Sequence, residues 1–130
     1  MTNLTSTLAI SASAMRAQSS RLRITSENIA NVDTPGYRRK ILSFRAVSNQ
    51  KIGADMVKAG PVRLDRSEPT RIYNPGHPLA DSKGYYTGSN VNLVVEIADA
   101  RESQRSYEAN LKMFDQARQM TRSALEILRR

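Results

Sequence analysis

The sequence contains no cysteine and no tryptophan, only two phenylalanines and a single histidine. The missing thiols exclude disulfide frameworks, thiolate metal sites and cysteine nucleophiles together. One histidine excludes any mechanism built on two imidazoles. With 39% hydrophobic residues and a mean hydropathy of −0.52, a large aromatic-rich core is excluded as well. No run approaches the roughly 20 apolar residues of a membrane-spanning helix, so no membrane insertion is expected. The opening Met1-Thr2-Asn3-Leu4 lacks the basic and apolar regions of a cleaved signal peptide, which leaves a cytoplasmic chain or one exported uncut. The carboxylates Asp33, Asp65, Asp81 and Asp99 are scattered without spacing suited to paired acid–base work. Gly53, Gly60 and Gly84 form no phosphate-cradling loop, and His77, held between two prolines, has no companion ligands for zinc. These absences point away from an enzyme; no catalytic residue, cofactor or metal is expected.

What remains is one domain's worth of chain, 130 residues, with an excess of positive charge. Twenty Lys and Arg stand against 12 Asp and Glu, a net of +8. The excess lies toward the front, in Arg16, Arg21, Arg23 and the run Arg38-Arg39-Lys40. One reading is therefore a small basic protein that binds nucleic acid or another anionic surface through these residues. No recognition-helix, zinc-finger or aromatic-interleaved pattern accompanies the run, so a solvated basic face is the preferred reading and nucleic acid is not an expected partner.

Hydrophobic periodicity divides the chain into three zones. No Gly or Pro precedes Pro35, and Leu8, Ala12, Met15, Ser19, Leu22, Ser26 and Ile29 recur at alternating four- and three-residue steps. That spacing predicts a helix over about residues 4–31, capped by Asn3 or Ser6, with a narrow seam suited to close helix packing. Residues 91–129 carry a stronger helical signal. One seam runs through Leu93, Ile97, Ala100, Tyr107, Leu111, Phe114, Leu125 and Leu128, and a second through Met113, Ala117, Met120, Ala124 and Ile127. Between them fall all six glycines and short alternating runs, Leu42–Ala46, Val62–Leu64 and Arg71–Tyr73, which predict brief strands; Gly84–Asn90 reads as loop. The fold class is thus α+β: an N-terminal helix and turn (1–35), a small β-rich middle segment (36–90) and a C-terminal helix (91–130). A final helix of roughly 58 Å exceeds what such a middle segment can cover, so the double seam calls for other chains.

The most structured short segment is Asn28-Ile29-Ala30-Asn31-Val32-Asp33-Thr34-Pro35-Gly36-Tyr37. Pro35 fixes φ, Gly36 supplies a positive φ, and Asn31 and Asp33 can bond their own backbone amides, so a helix stop and a sharp redirection are expected. As a string, the segment resembles the signature of the bacterial flagellar axial proteins, the rod and hook subunits. Tyr73-Asn74-Pro75-Gly76-His77-Pro78, Asn90-Val91-Asn92 and Arg105-Ser106-Tyr107-Glu108-Ala109-Asn110 extend the likeness to the proximal rod members over essentially the whole chain. The resemblance implies a structural rod subunit whose terminal helices pack into a coiled-coil-like layer lining an axial tube that transmits torque across the periplasm. It implies export by the flagellar type III apparatus without cleavage. The implied partners are further copies of the chain, other proximal and distal rod proteins, and the basal-body export-gate adaptor. The expected assembly interface comprises Leu8, Met15, Leu22, Asn28, Ile29, Asn31, Ile97, Tyr107, Asn110, Leu111, Phe114, Leu125 and Leu128, with Thr34, Pro35, Gly36 and Tyr37 as the turn.

Overall fold

The computed structural model describes residues 2–130. Two long helices frame it: α1 (Thr2–Ala30, 29 residues) and α2 (Leu93–Arg129, 37 residues). At 1.5 Å per residue these extend over about 43 and 55 Å. α1 is already helical at Thr2, so Asn3 and Ser6 lie within it rather than capping it. α2 begins two residues later than the periodicity suggests because Asn92 caps it, its Oδ1 accepting from the amides of Val94 at 3.1 Å and Val95 at 3.4 Å.

The middle segment forms no single sheet. Six short strands pair into three antiparallel ribbons. β1 (Lys40–Ile41) pairs with β4 (Arg63–Leu64), β2 (Phe44–Asn49) with β3 (Ala54–Ala59), and β5 (Arg71–Tyr73) with β6 (Tyr85–Thr87). The stretch expected to be loop, Gly84–Asn90, therefore contains a strand, and β3 has no counterpart in the expected runs. An isolated ribbon is marginal in water, so each leans on the rest of the chain. For β2–β3 the support is α1. Ser6 Oγ donates to the Ile52 carbonyl at 2.8 Å, and Ser13 Oγ accepts from the Val57 amide at 3.1 Å. Ser6, expected as a helix cap, and Ser13 thus act as pegs for a hairpin.

The two helices pack against each other within the one chain, where the double seam pointed to other chains. They run antiparallel: Asn28 near the end of α1 meets Glu96 near the start of α2, while Met15 shares an open cleft with Tyr107 and Phe114. The fully buried residues of the chain, whether against the other helix or against β2–β3, are mostly small or polar. Among the described residues the buried hydrophobics are Ala17, Ile24 and Ala117, beside buried Ser11, Ser13, Thr25, Asn28, Glu96 and Ser103. On α2 the buried and half-buried positions Glu96, Ser103, Asn110, Ala117 and Ala124 recur at heptad spacing, one step before the first apolar seam and sharing Ala117 and Ala124 with the second. Small side chains let the two backbones approach closely, and the larger apolar residues stay outside.

Gly84 (φ +84°) closes the β5–β6 turn, and a Cβ there would stand 2.8 Å from Tyr73 Cε2 and 3.0 Å from Pro75 Cγ. Gly84→Ala therefore meets both backbone strain and overlap, and is expected to lower unfolding free energy by about 1–3 kcal/mol. Urea denaturation would read this; an unchanged midpoint would contradict the turn geometry.

Candidate assembly surface and the junction that presents it

The turn after α1 forms as its residues dictate. Thr34 donates its amide to the Asn31 carbonyl at 3.0 Å, Tyr37 to the Thr34 carbonyl at 3.2 Å, and Gly36 adopts φ +74°. The Gly36 amide reaches the carbonyls of Thr87 and Gly88, both at 3.2 Å, which pins the turn to the end of β6. Asn31 closes the helix in a different way from that expected. Its side-chain amide donates back to the Glu27 carbonyl at 2.8 Å, which its own backbone amide also reaches at 3.1 Å, and its oxygen accepts from the Thr34 hydroxyl at 3.1 Å.

Redirecting the chain here carries residues 37–40 back over the end of α1, and a polar junction closes around Asn28. This side chain is 1% exposed and uses its full bonding capacity. Its amide donates to the Lys40 carbonyl at 2.9 Å and to Glu96 Oε2 at 3.2 Å. Its oxygen accepts from the Tyr37 hydroxyl and the Lys40 amide, each at 2.9 Å. Burial holds the Tyr37 hydroxyl above its ordinary value. Glu96, also 1% exposed, receives Nε of Arg39 on its other oxygen. The same guanidinium approaches Asp99 at 3.3 Å and Asp65 at 3.8 Å. Asn90 completes the junction, accepting the Arg39 amide at 2.6 Å and donating to the Asp65 and Ser67 carbonyls, each at 3.1 Å.

The basic run is therefore divided. Arg39 faces inward to three carboxylates, and these hold its charged form despite partial burial. Lys40 pairs with Glu27 at 2.8 Å, an interaction that raises the lysine and lowers the carboxylate. Of the other front-loaded cations, Arg23 also meets Glu27, at 3.4 Å, and Arg21 lies 4.0 Å above the Phe44 ring. Arg16 and Arg38 remain exposed. The signal for an inward Arg39 was absent from the run itself; its acidic partners come from residues 65, 96 and 99. His77 has a local occupation: its Nδ1 accepts the Leu79 amide at 3.1 Å, and its ring stacks on Tyr86 with centroids 4.0 Å apart.

The expected interface residues separate into two groups. Asn28 and Asn31 belong to the junction, and Asn110 turns its amide back to the Ser106 carbonyl at 2.7 Å. Leu8, Met15, Leu22, Ile29 and Phe114 are half-buried. Ile97, Tyr107, Leu111, Leu125 and Leu128 are exposed, as are Met113, Met120 and Ile127 from the second seam. Leu128 and Ile127 are each 72% accessible, which no solvated helix needs.

Two measurements test the junction. Asn28→Ala strands the Lys40 backbone groups and one oxygen of a buried carboxylate, and is expected to destabilise the fold by about 2–4 kcal/mol in urea titration. For pH, Glu27 lies below its ordinary 4.5 through Lys40, while Asp65 and Asp81 lie below 3.8 through the amides of Ser67 and of Tyr85 and Lys83. Depressed carboxylates stabilise above their unfolded values and lose that contribution as pH falls through the folded ones. Lys40, raised above 10.5, contributes below that value and ceases to as pH rises through the folded one. The urea midpoint should hold level from about pH 5 to 10 and fall on both sides; a midpoint that rose on acidification to about pH 3 would reverse the sign.

Residues 8–38 match the family of flagella basal body rod proteins, and residues 82–127 match the C-terminal region of the flagellar basal body rod FlgEFG proteins. These are the two stretches that the junction brings together. Flagellar basal-body rod protein FlgC of Agrobacterium fabrum is 42% identical over 127 residues, covering 92% of this chain and 91% of its own. FlgC of Escherichia coli O6:H1 is 32% identical over 124 residues (91% and 92%), and that of Bacillus subtilis 33% over 142 residues (92% and 95%). Likeness of this degree over nearly the full length of both partners means that the chain belongs to the FlgC family of flagellar basal-body rod proteins.

Proposed function

We propose that the apolar stripes left outside the helix pair are the surfaces by which this structural rod subunit joins its rod. The single observation that carries this reading is an inversion: apart from Ile24, the fully buried residues of α1 and α2 are small or polar (Ser11, Ser13, Ala17, Thr25, Asn28, Glu96, Ser103 and Ala117), while leucine, isoleucine and methionine of α2 face outward. A helix pair designed to be stable alone would place the larger side chains inside. Burying them between subunits supplies association energy without opening the intramolecular contact.

On this reading α1 and α2 form an inner layer of the rod through Leu8, Met15, Leu22, Ile29, Ile97, Tyr107, Leu111, Phe114, Leu125 and Leu128. The ribbons of residues 36–90 stand on its outer side. The neighbours are further copies, other proximal and distal rod proteins and the basal-body export-gate adaptor. Transmitting torque across the periplasm asks for stiffness and interlocked contacts rather than for a reacting group. Two long helices locked by a buried ionic junction offer that stiffness. Export would run through the flagellar type III apparatus without cleavage; among the described residues no helix is long and apolar enough to cross a membrane.

Charged substitutions on the outer stripe separate assembly from folding. Ile97→Asp, Leu111→Asp and Leu125→Asp alter exposed positions and should leave monomer stability within about 0.5 kcal/mol of the parent. In cells lacking their own copy, the triple variant should be made and exported yet fail to complete basal bodies, as counted by electron microscopy of purified particles. Normal numbers of complete rods would overturn the assignment of this stripe.

A further inference from the structure

The cleft beside the β1–β4 ribbon is not absorbed by the helical assembly surface. About 770 Å³ in volume, it is lined by Arg38, Ile41, Arg63, Leu64 and Arg66 with Ser43 and Asp65. The three arginines come from separate points of the sequence and are all exposed. None of them forms an ion pair among the described residues, and the one hydrogen bond from their guanidinium groups runs from Arg38 to the Asp65 carbonyl at 3.4 Å. The single carboxylate of the lining, Asp65, is already engaged: it accepts the Ser67 amide at 2.8 Å and faces Arg39. Between the guanidinium groups lie Leu64, 56% exposed, and Ile41, 38% exposed. The ribbon beneath is only two residues long on each strand and gains little rigidity of its own.

We propose that this cleft docks an acidic, apolar-bearing segment of a different rod subunit, its carboxylates taken by Arg38, Arg63 and Arg66 and an aliphatic side chain resting on Ile41 and Leu64. The charge argument sets the partner's chemistry. Guanidinium groups match carboxylates in planar, two-point fashion, and a basic cleft on a chain of net charge +8 is complemented best by a segment of net negative charge, which points to a different protein rather than to a further copy. The inference rests on the rod-subunit reading only for the source of that segment.

The test uses the full chain and a fluorescein-labelled short peptide of alternating glutamate and valine, followed by fluorescence anisotropy. Saturable binding should weaken by about tenfold or more in Arg38→Ala/Arg63→Ala/Arg66→Ala, and by a smaller factor in the corresponding triple lysine variant, which keeps the charge but loses the fork geometry. Circular dichroism checks that each variant is folded. If the alanine variant is not, Arg66→Ala replaces it, since that side chain makes no ion pair or hydrogen bond among the described residues; about twofold weakening is then required. Affinity unchanged by these substitutions, or equal affinity for a glutamine–valine peptide, overturns the proposal. So does tighter, arginine-dependent binding of an oligonucleotide of matched charge, which would assign the cleft to phosphate polymers. None of these results touches the assembly stripe, which the basal-body count tests separately.

Discussion

The structure depends on a buried carboxylate meeting a buried amide. Glu96 sits in the first turn of α2 with almost no access to solvent, and it is held there by Asn28 of α1 and by Arg39 from the returning chain. An uncompensated charge in that position would be expensive, and removing either partner recreates that expense. Because Asn28 also bonds both backbone groups of Lys40, one side chain couples the end of the first helix, the reversed strand and the start of the second helix. The direction of each element past the turn follows from satisfying this one set of groups. Such networks specify arrangement more than they add net stability, and a specific mutual placement of two long helices is what a repeating assembly requires.

Once the junction fixes the helix ends, small residues decide how the helices run together. Ser11, Ser103 and Ala117, all buried, allow close approach while burying little apolar area. The contact inside the chain is consequently modest, and the greater hydrophobic content of α2 remains outside. This division accounts for the excess of apolar periodicity in the final helix: one line is buried within the chain and the flanking lines stay exposed, where the proposed assembly surface lies. The unpartnered Gln18 Oε1 and Ser103 Oγ, both buried, lie within the same polar interior, where each missing hydrogen bond detracts from the strength of the internal contact.

The ribbons add a second, different kind of surface. They lack a common sheet and common core, and each is held by a few named bonds, such as Ser13 to Val57 or Arg71 to Asp81 at 2.7 Å. Their side chains are largely accessible, and the arginines not consumed by the junction gather there. The positive charge that is prominent in the sequence is thereby split between an internal role at Arg39 and Lys40 and an external one at Arg38, Arg63 and Arg66.

Much of this was legible from the sequence for local reasons. Helix extents follow from an absence of glycine and proline and from a three-to-four-residue period. The turn at Thr34–Tyr37 follows from the fixed φ of proline beside a glycine, and the strand at Arg71–Tyr73 from short alternation. What the sequence could not reveal depends on partners distant along the chain. The strand at Ala54–Ala59 exists because α1 offers Ser6 and Ser13 as anchors. The inward fate of Arg39 required Asp65, Glu96 and Asp99 to be carried to it. Periodicity identified which residues of α2 share a face, yet the buried line through Glu96, Ser103 and Ala117 lies one step from the first seam and coincides with the second only toward its end, because the junction and the close approach of small side chains outweigh apolar content in setting the rotation of the helix. Local sequence determined the two long helices and the turn after the first; long-range satisfaction of buried polar groups decided how the remaining segments pair and which surfaces are buried within the chain and which stay exposed.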